Sequence, residues 1–290
     1  MANLKEVRTR IASVSSTQQI TSAMKMVSAA KFRRAQNSII GMRPYAAQLA
    51  EITASIDVGD NLQTPYHEQR RVNRILLVVV TSNKGLCGAF NANVIKQADN
   101  RIRQYATEYP GASLQVIAIG KRGADHLAKQ TGFDIENRSE LLDTADFESI
   151  ATLADDIMRR YCDKQYDLVE VVYNQFKNSL TQVLRTEQFL PIVPTGGTHQ
   201  TRPTDDYIYE PDKESILREM VPLTLRSQFY RILLDSLAAE HGARMTAMQK
   251  ATDNATELLK DLKLSYNKAR QASITNEIIE IVSGSEALKS

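Results

Sequence analysis

An α/β domain inserted between two long antiparallel terminal helices is the fold class this sequence predicts, and three observations predict it. Residues 3–57 and about 212–286 are almost free of Gly and Pro and carry apolar residues at spacings of three and four. The stretch between them, about 70–195, instead alternates short β-branched runs with helical patterns. Each terminal helix has too narrow an apolar stripe to be stable alone, so each needs a partner.

The first helix contains only Gly41 and Pro44 as breakers. Leu4, Val7, Ile11 and Val14 follow coiled-coil spacing, which Ile20, Met24 and Val27 resume, then Phe32, Ala35, Ile39, Met42, Ala46 and Leu49. The steps Val14 to Ile20 and Val27 to Phe32 read as register breaks. Pro44 is expected to kink the helix or start a new one. In the last segment Met248, Ala251, Ala255, Leu258 and Leu262 form the seam, with Ile274, Ile278 and Ile281 following after a break. Pro222 is expected at an early helical position, where a prolyl nitrogen is best tolerated. At 1.5 Å per residue the helices would be roughly 80 and 100 Å long. The economical arrangement pairs them with each other, with Leu4–Val14 near the later part of the upstream half of the second helix. The shorter first helix would then leave residues 278–290 projecting alone. Two separate homodimeric coiled coils are the alternative.

In the middle, RILLVVVTS (74–82), SLQVIAIG (113–120) and DLVEVVYN (167–174) read as buried strands of a mostly parallel sheet. Helical patterns at about 89–106, 122–131 and 146–162 separate them. LQTPYHEQ (62–69) and PTGGTHQTRPTDD (194–206) read as bordering loops. The resulting division is 1–58 for the first helix, 70–195 for the α/β domain and 207–290 for a connecting segment and the second helix.

Chemistry is harder to find. SNKGLCGAFN (82–91) follows the first strand, but Gly85 and Gly88 give only GxxG, and Lys84 precedes the glycine rather than ending a phosphate-binding GxxxxGK[ST]. Gly120-Lys121-Arg122-Gly123 fits neither template, so both read as tight turns. His67, His126, His199 and His241 are scattered, and Glu240-His241 is not part of HExxH. Cys87 and Cys162 have no metal or redox spacing and read as reduced thiols. No GxSxG is present. No cofactor, metal or catalytic residue is therefore expected. A net charge of +2, the absence of Trp and aromatics at 6% speak against nucleic acid as a partner. MANLKEVRTRI lacks an apolar stretch of signal-peptide length, and Ile75–Val80, the longest apolar run, is far short of a membrane span. An intracellular protein without direct membrane insertion is the expectation.

The first helix is locally basic. Lys5, Arg8, Arg10, Lys25, Lys31, Arg33, Arg34 and Arg43 stand against Glu6 alone through residue 43. They form either a solvated face or a contact for an acidic partner or nucleic acid, the last disfavoured by the near-neutral chain and its few aromatics. Met24, Met26, Met245 and Met248 read as packing residues. On the residues alone, a structural interaction protein is favoured over a nucleotide-dependent enzyme built on the α/β domain.

The ends then carry a resemblance. IASVSSTQQITSAMKMVSAAKFRRAQ (11–36), AEHGARMTAMQKATDNA (239–255) and YNKARQASITNEIIEIVSG (266–284) resemble the terminal helices of γ subunits of rotary F-type ATP synthases. SNKGLCGAFN is similar to that family's motif after the first strand, with Asn83-Lys84 where Asp-Arg is usual and Gly88-Ala89 where Gly-Gly is usual. DYIYEPD (206–212) resembles the family's foot region. The resemblance implies a noncatalytic rotor, the central stalk that couples proton flow to ATP synthesis in a catalytic head. It implies as partners the alpha and beta subunits of the catalytic hexamer, the epsilon subunit and the membrane c-ring. It implies a peripheral location on the cytoplasmic face of a bacterial inner membrane. It carries over Met24, Lys25, Arg244, Arg270, Gln271, Thr275 and Glu277 as head contacts, and Tyr207 and Glu210 as ring contacts.

Overall fold

The computed structural model describes residues 4–56, 64–130, 132–178, 181–192, 210 and 212–287. The chain forms two compact units, residues 1–28 with 245–290, and residues 29–244. Helices α1 (Leu4–Ile56) and α6 (Lys213–Ala287) contribute to both.

Within the first unit α1 and α6 are antiparallel. Arg8 donates to the Tyr266 hydroxyl at 3.4 Å, Gln18 to Thr256 at 2.7 Å, and the hydroxyls of Thr21 and Thr252 are 2.9 Å apart. Leu4–Val14 therefore lies against the downstream half of α6, around Tyr266, and not in its upstream half as expected. The register is set by polar side chains in the seam, which an apolar pattern does not display. The expected register breaks dissolve for the same reason. Val7, Thr21 and Ser28 are buried at multiples of seven residues, with half-buried Val14 completing the series, while Ile20 and Val27 point outward at 57% and 59% exposure. Ser28 returns its hydroxyl to the Met24 carbonyl at 2.7 Å and Thr21 to that of Gln18 at 3.0 Å, so both tolerate the seam. On the part of α6 in this unit the buried residues are Met248, Ala255 and Leu259, and Leu258, expected in the seam, is exposed. From Ile274 to Ser285 every residue of α6 is exposed, Ile278 and Ile281 included.

In the second unit a five-stranded sheet has the order β3-β2-β1-β4-β5. Its strands are β1 (Arg74–Val80), β2 (Ser113–Ile119), β3 (Asp134–Asn137), β4 (Leu168–Phe176) and β5 (Gln182–Leu190). All pairs are parallel except β4 with β5. β3 and antiparallel β5 were not foreseen. β3 is four residues with two charged ones, and β5 carries polar residues on both faces because it lies at the sheet edge.

β1 is buried on both faces, hence its unbroken apolar run. Leu76, Val78 and Val80 meet Ile150, Ile157 and Tyr161 of α5 (Phe147–Cys162) together with Leu217, Val221, Leu225 and Phe229 of α6. Ile75, Leu77 and Val79 meet Val94, Ala98 and Tyr105 of α2 (Phe90–Glu108) and Leu127 of α3 (Lys121–Leu127). A short α4 (Leu141–Thr144) precedes α5, whose N-cap Asp146 accepts the Ser149 amide at 2.8 Å. In β4, Glu170 is 6% exposed. Arg101 reaches its two oxygens at 2.6 and 2.7 Å and the Tyr105 hydroxyl donates at 2.7 Å, which satisfies a carboxylate in a buried strand.

Neither Pro44 nor Pro222 stands at the start of a helix. α1 is one helix through Pro44. α6 starts at Lys213, so Pro222 is an interior residue. The start is set instead by Asp212, whose carboxylate accepts the Ser215 amide and hydroxyl, both at 2.8 Å. Those donors hold the Asp212 carboxyl below its usual range.

Candidate functional site

An open parallel sheet binds ligands outside the carboxyl ends of its strands, where the strand order reverses. Here that point lies between β1 and β4. After β1 the chain enters Thr81-Ser82. The Asn91 amide oxygen accepts the Ser82 N–H at 3.0 Å, and the Asn91 Nδ2 donates to the Ser82 hydroxyl at 2.8 Å. Gly120, at φ +119, approaches Thr81 so closely that a Cβ would sit 2.4 Å from the Thr81 carbonyl oxygen. Asn174 of β4 is buried and donates to the Phe90 carbonyl at 3.1 Å. Beside these groups Cys87 and Phe90 pack on Ala239 of α6, with Phe176 and Ala243 around them. Phe176 in turn meets Phe32 of α1 edge-on at 5.4 Å. The turn after β1 and the end of β4 thus pack against α6 and α1.

Arg244 joins this region. It is 8% exposed. Its guanidinium donates to the carbonyls of Gly85 and Lys84, the latter at 3.0 Å, and to Glu240 at 2.7 Å. Burial pushes the Glu240 carboxyl up, opposed by Arg244. Burial, with Lys31 and Arg244 nearby, pushes the His241 imidazole down to about 4. Its Nδ1 is buried with no hydrogen-bond partner among the described residues. A second polar hub ties α6 to the sheet. Glu187 of β5 accepts from Tyr173 at 2.7 Å and from Gln228 and Arg231 at 2.8 Å each.

In the first unit Met24 and Lys25 are half-buried on α1. Arg270, Gln271, Thr275 and Glu277 are exposed on two turns of α6. Thr275 bonds back to the Gln271 carbonyl at 2.9 Å, placing that pair on one face. Given the Thr21–Thr252 register, the Lys25 level and the Arg270 group are separated by about 30 Å of helix. They form two patches, not one site. Glu210 is exposed, and Tyr207 lies outside the described residues. Sequence reasoning missed Thr21, Ser28 and Glu187. No helix among the described residues is long and apolar enough to cross a membrane.

Comparison with known proteins agrees with this architecture over the full chain. The family model described as ATP synthase matches residues 3–288. The ATP synthase gamma chain of Flavobacterium psychrophilum is 52% identical over 100% of both chains. That of Cytophaga hutchinsonii is 50% identical over 99% of both. Among solved structures, a chain of the Euglena gracilis mitochondrial ATP synthase OSCP/F1/c-ring structure, rotational state 3, shares the fold. Its TM-score is 0.69, at 20% identity, covering 98% of this chain and 94% of that one. A chain from the Tetrahymena thermophila mitochondrial ATP synthase central stalk/c-ring structure has a TM-score of 0.55 at 23% identity, covering 80% of this chain and 99% of that one. A long-helix pair, a mostly parallel sheet and full-length similarity to these relatives lead to one assignment: the chain belongs to the ATP synthase gamma chain family.

Proposed function

We propose that this chain is the noncatalytic central-stalk rotor of a proton-translocating ATP synthase. In that role it couples proton flow through a membrane ring to conformational change in a catalytic head. The observation that carries the reading is the end of α6, where Ile274, Ile278, Ile281 and Val282 are 48–71% exposed. An isolated helix with such a surface is marginal in water, so a surrounding partner must cover it. A ring of alpha and beta subunits is the partner this family membership favours. Residues 1–58 and 207–290 would act as the shaft. Residues 70–195 would sit toward the c-ring, beside the epsilon subunit, at the cytoplasmic face of a bacterial inner membrane.

An asymmetric shaft touching three catalytic subunits unequally is a ligand with a different affinity for each conformation. It shifts each subunit only by that difference. Met24, Lys25, Arg244, Arg270, Gln271, Thr275 and Glu277 would supply the contacts with the head, and Tyr207 and Glu210 those with the ring. By modulating those states the chain would also regulate ATPase activity and proton flow. The test is purification of the tagged chain from membranes, followed by single-particle observation of rotation under ATP. Co-elution with a hexameric ATPase and rotation of the chain are expected. Elution without it would end the reading.

A further inference from the structure

In the second unit α6 lies in an apolar seat on the α/β domain. Leu225, Phe229, Ile232 and Leu233 are each at most 2% exposed and share one core with the sheet and α5. At about 100° per residue these four fall within one arc of about 100° on the helix surface, with Arg226 on one flank of it and Gln228 and Arg231 on the other. Apolar attraction is non-directional. It decides which face of a helix is buried more firmly than it fixes the angle at which the helix sits in its seat.

Directional bonds grip both flanks. Arg226 donates to the Asp155 carboxylate of α5 at 2.6 Å. On the other side Gln228 and Arg231 each donate to Glu187 of β5 at 2.8 Å, and Arg231 also pairs with Asp235 at 3.6 Å. The Tyr173 hydroxyl of β4 donates to the same Glu187 at 2.7 Å, which ties that acceptor into two strands. Asp155 is carried by the helix whose Ile150, Ala154 and Ile157 belong to the core under the sheet. Both acceptors therefore belong to the body of the α/β domain. The charged groups are partly exposed, the Arg226 and Asp155 side chains at 38% and 42%, those of Arg231 and Glu187 at 31% and 28%. Ion pairs so exposed add little to stability. Set on opposite flanks of one seat, they oppose rolling of α6 in either sense.

We propose that Arg226 on one flank, and Gln228 with Arg231 on the other, are positioning residues that lock the roll of α6 about its own axis. A twist applied to the α/β domain then passes into α6 instead of being lost in the seat. The passage of torque rests on the rotor reading above, and the lock itself does not.

Two measurements separate the steps. Spin labels at Thr152→Cys of α5 and Glu219→Cys of α6, both exposed positions, report the roll as the width of their distance distribution. Cys162→Ser removes the half-buried native thiol, and Cys87 at 1% exposure stays unlabelled. In the isolated full chain, Arg226→Gln with Arg231→Gln is expected to at least double that width while the urea midpoint stays at the parent's value. An unchanged width would overturn the lock, as would a width that grows only as the midpoint falls, which marks lost packing. Rebuilding the first flank in exchanged form, Arg226→Asp with Asp155→Arg, in the Arg231→Gln chain should narrow the distribution again. No narrowing would assign the effect to side-chain bulk and overturn the lock. In the assembled complex, with the head fixed to a surface and stalled, releasing both flanks should at least double the angular variance of a probe carried on the α/β domain. A variance equal to the parent's would mean that torque enters the shaft by another route and would overturn that part of the proposal. Failure of the parent chain to co-elute with a hexameric ATPase would instead sink the rotor reading, while the labels still decide the lock.

Discussion

The hydroxyls of Thr21 and Thr252 meet at 2.9 Å in the seam between α1 and α6. Thr21 belongs to the seven-residue series of Val7, Val14 and Ser28 on α1, and Thr252 lies one turn from buried Met248 and Ala255. Polar seam residues fix which turns of two helices face each other, at some cost in stability. Replacing both threonines by valine is expected to leave stability unchanged or to raise it by up to about 1 kcal/mol, because neither hydroxyl is then orphaned. Urea denaturation of the isolated chain measures this. A loss beyond about 2 kcal/mol would show that the pair stabilises as well as aligns.

Glu170 and Arg101 offer the opposite case. Arg101→Ala strips a buried carboxylate of its two charge-assisted bonds and should cost about 3–5 kcal/mol. Changing Arg101 and Glu170 together to Leu and Gln should cost much less. Equal losses from the two variants, read from denaturation midpoints, would mean that packing of the Arg101 stem matters more than its charge.

His241 predicts a pH dependence. Its folded imidazole titrates near 4, against 6.5 for the free group. Between those values the unfolded chain binds more protons, so this group's contribution is complete above pH 6.5 and is lost as pH falls toward 4. The size is about 3 kcal/mol at most, less after solvent screening. Glu240, pushed up by burial, acts in the opposite sense; Lys31 and Arg244 act on both groups and Lys84 on Glu240. His241→Gln should flatten the stability profile between pH 6.5 and 4. A profile identical to the parent's would assign the slope to other groups.

The exposed end of α6 yields two truncations. Deleting residues 284–290 should leave the chain folded and ATP hydrolysis in the assembled complex within about twofold of the parent, an effect below 0.5 kcal/mol. Deleting 270–290 also removes Arg270, Gln271, Thr275 and Glu277, and torque in a rotation assay should drop. Equal loss from both would place the grip at the tip.

Much of this molecule was legible in composition and period. Sparse Gly and Pro with three-four spacing determined two long helices, and β-branched runs such as Ile75–Val80 determined buried parallel strands, because burial on both faces leaves no polar alternation. Long motifs at 11–36 and 266–284 pointed to the family. The tertiary structure decided what lies between those levels. It placed Thr21 and Ser28 in the seam and turned Ile20 and Val27 outward, since hydroxyls that bond to their own helix can be buried and hydropathy alone does not register it. It set Glu170 inside the sheet, because Arg101 arrives from a helix nearly seventy residues away to neutralise it. It also turned Arg244 inward. A guanidinium goes where carbonyls converge, and only the folded backbone brings Lys84 and Gly85 to it.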